Sequence, residues 1–166
     1  MPSILEKLRG GDLRSIGKSN AVVREVIRHP QYMQGLVTGL SDQDPIIRMR
    51  SADVLEKISR KHPHLCQIYK KGLLQHLTSA SQNEIRWHLA QMAPRLSWVP
   101  TEKKRVMAIL RKWLAPTEKS QIVRVSALQA LFEFGVRRSV LSKALRDESP
   151  ALRARAKRLL STYAQG

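Results

Sequence analysis

The chain has one cysteine, Cys66, in 166 residues, and a lone thiol excludes an internal disulfide framework while remaining compatible with a reducing compartment. No stretch approaches the ~20 consecutive apolar residues that a membrane span needs. Met1 to Gly11 also lacks the apolar centre of a signal peptide. The expectation is a cytoplasmic protein without a membrane span. Catalytic signatures are missing as well: there is no glycine-rich phosphate loop, no nucleophile elbow and no pair of acids at a helical interval on the face predicted below to line a groove. Five histidines are present, but the spacing of His62, His64, His76 and His88 matches no zinc pattern, and Cys66 would supply only one sulfur. Catalytic residue, cofactor, metal and small-molecule substrate are therefore all assigned as none.

Acidic side chains are the scarcest class relative to their counterparts. Thirteen Asp and Glu face 30 Lys and Arg, a formal net charge of +17 with a sequence pI near 11.0. Residues 1 to 85 carry 13 basic and 8 acidic side chains, and residues 86 to 166 carry 17 and 5, so the two segments have net charges of +5 and +12. Such an excess favours polyanions: nucleic acid, acidic proteins or anionic membrane surfaces.

What is present is a soluble globular composition, 42% hydrophobic and 26% charged, and a length that suits a single domain over residues 1–166. The clearest unit is Asp42 to Ile58. Asp44 is suited to cap a helix whose first residue is Pro45, where a missing N–H costs nothing, and Ile47, Ser51, Val54, Leu55 and Ile58 follow at three- and four-residue steps. The spacing predicts helices over 32–40 and 44–60, 64–78 and 83–96, 101–114 and 120–134, and 136–146 and 149–163. These pair as four hairpins over 31–60, 64–96, 101–134 and 136–164. Residues 1–30 form a degenerate amino-terminal cap: Ile4, Leu5 and Leu8 suggest a short helix, Gly10-Gly11 breaks it, and a helix from Asn20 ends at His29-Pro30.

Arg48, Arg86, Arg124 and Arg153 hold equivalent places in the four second helices. One residue before each stands Ile47, Ile85, Val123 or Leu152. Seven after stands Leu55, Ala93, Leu131 or Leu160, and ten after stands Ile58, Leu96, Phe134 or Tyr163. Hairpins with such apolar flanks must stack to bury them, which predicts an all-α, right-handed α-α superhelix.

At these residues the chain resembles the HEAT-repeat family of the armadillo-like class. The Asp-x-Asp-Pro-x-Ile-Arg pattern at Asp42, Asp44, Pro45, Ile47 and Arg48 carries the likeness, over about residues 31 to 164. The resemblance implies a fold more than a function, since such repeats serve scaffolds, transport receptors, enzyme subunits and alkylpurine DNA glycosylases. It also implies that each repeat arginine pairs with an acid six residues earlier. Those places hold Asp42, Ala80, Glu118 and Asp147, so Arg86 is expected to lack its carboxylate and to be open to an external anion.

By the same resemblance the second helices line a concave face, with outward residues one, two, five and nine places after the arginine. This nominates Arg50, Arg86, Trp87, His88, Arg95, Arg155 and Arg158 as a nucleic-acid or anion-binding set, with Trp87 as a flat contact. Basic residues of the first helices, such as Lys103, Lys104, Arg111, Lys143 and Arg146, are expected on the convex side. The sequence thus suggests a non-enzymatic module contacting the backbone of DNA or RNA. The alternative is an adaptor for an acidic or amphipathic protein segment held by Trp87, Val125 and Phe132. Glycosylase chemistry ranks third, because Gln91, one turn beyond Trp87, cannot supply a charged catalytic group.

Overall fold

A computed structural model describes residues 3–165, and among them every regular element is helical. The chain comprises two compact units that meet in sequence between Ser97 and Trp98, that is, between the second and third hairpins.

The first unit is built on its longest helix. In chain order it contains a 3-10 turn at Ile4–Leu8, α1 (Ser19–Arg28), a 3-10 turn at Pro30–Tyr32, α2 (Met33–Gly39), α3 (Pro45–Lys61), α4 (Pro63–Gln67), α5 (Lys70–Ser79), α6 (Asn83–Met92) and a final 3-10 turn at Ala93–Arg95. Helix α3 begins where the sequence predicts, because the Asp44 carboxylate accepts from the Ile46 N–H at 2.8 Å and Pro45 is its first residue. It ends at His62, just before Pro63, whose ring disfavours helical backbone in the preceding residue. Ile47, Val54, Leu55 and Ile58 are fully buried against α1, α2, α4 and α6, which all pack on α3.

Two boundaries in this unit differ from expectation. The helix predicted over 64–78 is two helices, interrupted at Ile68 and Tyr69. The helix predicted over 83–96 stops at Met92, because Pro94 has no N–H to continue the ladder and the chain tightens into the 3-10 turn.

The second unit comprises α7 (Pro100–Leu114), α8 (Gln121–Glu133), α9 (Arg138–Ala144) and α10 (Pro150–Ala164). Helix α8 is its centre: Val123, Ala127, Leu128, Ala130 and Leu131 are at most 1% exposed, and α7, α9 and α10 all pack on it. Ser120 and Ser149 cap α8 and α10 by accepting from Val123 N–H and Leu152 N–H. Gly135, at φ +92, ends α8: its own N–H donates to Phe132 O and that of Val136 to Leu131 O, a left-handed stop that suits a residue without Cβ. That one glycine turns the chain directly toward α9, which explains the short spacing from Arg124 to Arg153.

The repeat register is realised in the core, with three departures. Ile47, Ile85, Val123 and Leu152 are buried, as are Leu55, Ala93, Leu131, Ile58 and Leu96, but Phe134 is only half-buried and Leu160 and Tyr163 are exposed. The last two lie on the final turns of α10, where the Tyr163 ring meets Phe132 edge-on at 6.4 Å and Arg137 at 5.2 Å.

Candidate binding surfaces

The four repeat arginines occupy one register, and three of them show what it does. Arg48 Nη1 donates to the carbonyls of Asp42 (2.8 Å) and Gln43 (3.0 Å), closing its own turn, and Nε donates to Gln82 Oε1 at 2.8 Å. Arg153 closes its turn the same way, on the carbonyls of Asp147 (2.7 Å) and Glu148 (2.8 Å). Arg124 reaches forward, giving Asp147 a two-pronged contact at 2.7 and 3.2 Å, with its Nε on Leu114 O.

Arg48 and Arg124 therefore find side-chain partners in the following repeat. Ala80 then leaves Arg48, not Arg86, without a carboxylate, and Arg48 takes the Gln82 amide instead. The ground for singling out Arg86 is corrected accordingly. Arg86 is half-buried and Nη2 donates to Asn83 Oδ1.

Two further nominees are corrected. Arg50, expected to face outward, is 2% exposed. Its guanidinium donates to Gly10 O (2.6 Å), Leu8 O (2.7 Å) and Ser15 O (3.1 Å), with longer contacts to Arg9 O and Asp12 O. It thus organises the amino-terminal turn and presents no donor to a ligand. Gly17, at φ +51, belongs to the same device, since a Cβ there would stand 2.7 Å from Arg50 Cζ. Arg95 is the second correction. Carried by the 3-10 turn, its Nη1 donates to Glu56 Oε1 (2.7 Å), Ser59 Oγ (2.8 Å) and Glu56 O (3.2 Å).

The face shared by α3 and α6 is consequently close to balanced in charge. Glu56, whose side chain is 1% exposed, also receives Arg60 at 2.8 and 2.9 Å. Burial opposes its ionisation, but hydrogen bonds from Arg60 and Arg95 outweigh that and hold its carboxyl below the ordinary range. Lys57 is paired with Asp53 at 2.7 Å. Trp87 and His88 lie here, half-buried, with ring centres 5.3 Å apart. Burial pushes the His88 imidazole down from its ordinary value despite the pull of Asp53 and Glu56.

In the second unit, Arg155 is half-buried with Nη1 on Gln129 Oε1 at 3.0 Å, and Gln129 Nε2 in turn donates to Glu133 Oε1. Arg158 is exposed. The seven nominated residues divide between the units: Arg50, Arg86, Trp87, His88 and Arg95 belong to the first, Arg155 and Arg158 to the second.

Most exposed charge lies elsewhere in the second unit. Residues 98–166 carry 15 basic and 5 acidic side chains, and every basic one except Arg124, Arg153 and Arg155 is exposed. Between the end of α7 and α9 a groove of about 370 Å³ opens, lined by Leu114, Ala115, Pro116, Val140 and Ala144, with Arg111 and Lys143 among its cations. Sequence alone does not reveal it, because these apolar residues resemble ordinary core.

Among the described residues no three His, Cys, Asp or Glu side chains converge. Burial pushes the Cys66 thiol up to about 12, and its Sγ lies 3.7 Å from Leu55 O. No described helix is long and apolar enough to cross a membrane.

No protein-family model and no curated protein matches the chain. Solved structures do. One is an engineered protein with a TM-score of 0.61 and 17% identity, over 98% of this chain and 80% of that one. Another is a designed armadillo repeat protein solved in complex with the peptide (KR)4, with a TM-score of 0.57 and 18% identity, over 92% of this chain and 77% of that one. Together with the helical repeats described above, these likenesses identify the fold as an α-solenoid of the HEAT and armadillo-like kind.

Proposed function

We propose that the chain is a non-enzymatic binding module whose second unit contacts the phosphate backbone of DNA or RNA. The observation that carries this reading is the exposure of nearly all basic side chains in residues 98–166, where they outnumber acids 15 to 5. Exposed Lys and Arg bind phosphate without having to break internal partners, and the counterions they displace drive association. Arg50 and Arg95, already satisfied internally, have no part in this contact. Lys103, Lys104 and Arg105 on α7, Arg137 and Arg138 at the start of α9, and Arg158, all exposed, carry it.

The proposal is tested by gel shift with a labelled duplex and a labelled single strand. Lys103→Glu with Lys104→Glu, or Arg137→Glu with Arg138→Glu, should weaken both complexes. Arg60→Glu with Lys61→Glu, an equal charge change in the first unit, should matter less. Equal effects from all three pairs would reduce the contact to net charge alone.

A second reading is an adaptor for an acidic protein segment. The designed armadillo neighbour, which carries a basic peptide, supports protein binding by this fold. The net charge of this chain favours a partner of the opposite sign from that peptide.

A further inference from the structure

The groove between α7 and α9 combines a cationic rim with apolar walls, and a phosphate surface needs only the first. Its walls are mainly apolar: Leu114 closes α7, Ala115 and Pro116 form the turn that follows, and Val140 and Ala144 lie one helical turn apart on α9. Its rim is cationic, with Arg111 on the α7 side and Lys143 on the α9 side, both exposed. Arg146, one turn beyond Lys143, borders the adjoining depression with Pro116.

The base of the groove is already neutral. Arg124, whose side chain is 5% exposed, is held by Asp147 at 2.7 Å, and that carboxylate also accepts from Ser149 N–H. Neither ion needs a ligand. The available charge is therefore at the rim and the available hydrophobic surface inside.

We propose that this groove binds an acidic peptide segment, placing one bulky apolar side chain between Leu114, Pro116, Val140 and Ala144 and flanking carboxylates on Arg111, Lys143 and Arg146. The volume, about 370 Å³, lies at the small end of the ~300–1,000 Å³ range of ligand pockets and suits a side-chain anchor. Charge selects the partner: a unit with 15 basic and 5 acidic side chains repels basic segments and draws in acidic ones. Phosphate backbone satisfies the rim but leaves the apolar interior wet, so a peptide with both chemistries fits better than a nucleic acid at this place.

The test uses the full chain and a fluorescein-labelled peptide of Asp and Glu residues around a central Leu-Leu pair, read by anisotropy. A control peptide with Ser-Ser at the centre should bind roughly tenfold more weakly or worse, because burial of each apolar side chain is lost. Arg111→Glu with Lys143→Glu should weaken the Leu-Leu peptide by a similar factor, whereas Lys103→Glu with Lys104→Glu, the same charge change at the other end of α7, should change it less than about twofold. Val140→Glu should abolish the difference between the two peptides, and circular dichroism checks that this variant stays folded; Arg111 and Lys143, both exposed, keep the test valid if it does not. Equal affinity for the two peptides would overturn the proposal, as would equal damage from the two lysine- and arginine-reversal pairs. So would displacement of the peptide by an oligo-dT strand whose own binding needs Arg111 and Lys143, since the groove would then belong to a nucleic-acid surface. Loss of oligonucleotide binding elsewhere on the unit would leave this result untouched.

Discussion

Arg50→Met should loosen the amino-terminal turn while leaving the helices of the second unit intact. The wild-type guanidinium donates to the Leu8, Gly10 and Ser15 carbonyls at 2.7, 2.6 and 3.1 Å. Hydrogen bonds to a charged group contribute ~1.5–3 kcal/mol each, and methionine fills much of the space without supplying a donor. Residues 9–18 are exposed, so water replaces part of what is lost, and the net cost comes to about 3–5 kcal/mol. That corresponds to a fall in thermal midpoint of roughly 6–20 °C for a chain of this size. Arg50→Lys should recover less than half, because an ammonium group cannot reproduce the planar fork that reaches several carbonyls at once. Gly17→Ala should act in the same direction by ~1–2 kcal/mol from its left-handed backbone alone, with the clash against Arg50 added. Differential scanning fluorimetry and hydrogen exchange over residues 4–17 measure both. An Arg50→Met variant with an unchanged midpoint and unchanged exchange in that segment would refute the clamp.

Leu131→Ala, in the core of α8 at 0% exposure, should cost ~2–5 kcal/mol in chemical denaturation. Asp44→Ala should cost ~0.5–2 kcal/mol by removing the acceptor for the Ile46 N–H, with exchange accelerating at the start of α3. Glu56 has a folded-state pKa below its unfolded one, so its stabilisation is complete above the unfolded value of ~4.3 and is lost as pH falls through the folded value. The thermal midpoint should therefore drop on acidification below about pH 4, and Arg95→Met should shrink that component of the drop. A pH profile identical in the two proteins would break the link between Arg95 and Glu56.

Local features were legible in the sequence because they are determined within a few residues. Asp44 and Pro45 start α3, Ser149 and Pro150 start α10, and the apolar steps around Arg48 and Arg124 mark buried positions. The misplaced features depend on distant partners. Arg50 is drawn inward by carbonyls 35 to 42 residues earlier, for which periodicity offers no sign; Gly10, Gly11 and Gly17, all at positive φ, were the only hint. Arg95 turns toward Glu56 because Pro94 tightens the chain after Met92, which redirects a side chain that a continued α-helix would have placed elsewhere. Leu160 and Tyr163 repeat a core pattern, yet burial requires enough neighbours as well as a pattern, and Tyr163 meets the Phe132 ring and Arg137 while staying 53% exposed. Counting along helices nominates the concave arginines, but it cannot reveal which guanidinium groups are already satisfied.

The central claim is polyanion binding by exposed charge in the second unit, and the salt dependence of affinity tests it most directly. Anisotropy of a labelled duplex titrated with the full chain, from low to near-physiological salt, should give a log affinity that falls linearly with log salt at about −0.9 per phosphate contacted. Reversing Lys103 with Lys104, or Arg137 with Arg138, should make that slope shallower by roughly one for each phosphate contact removed. Absence of binding to duplex and single strand at low salt, or an affinity indifferent to salt, would contradict the account.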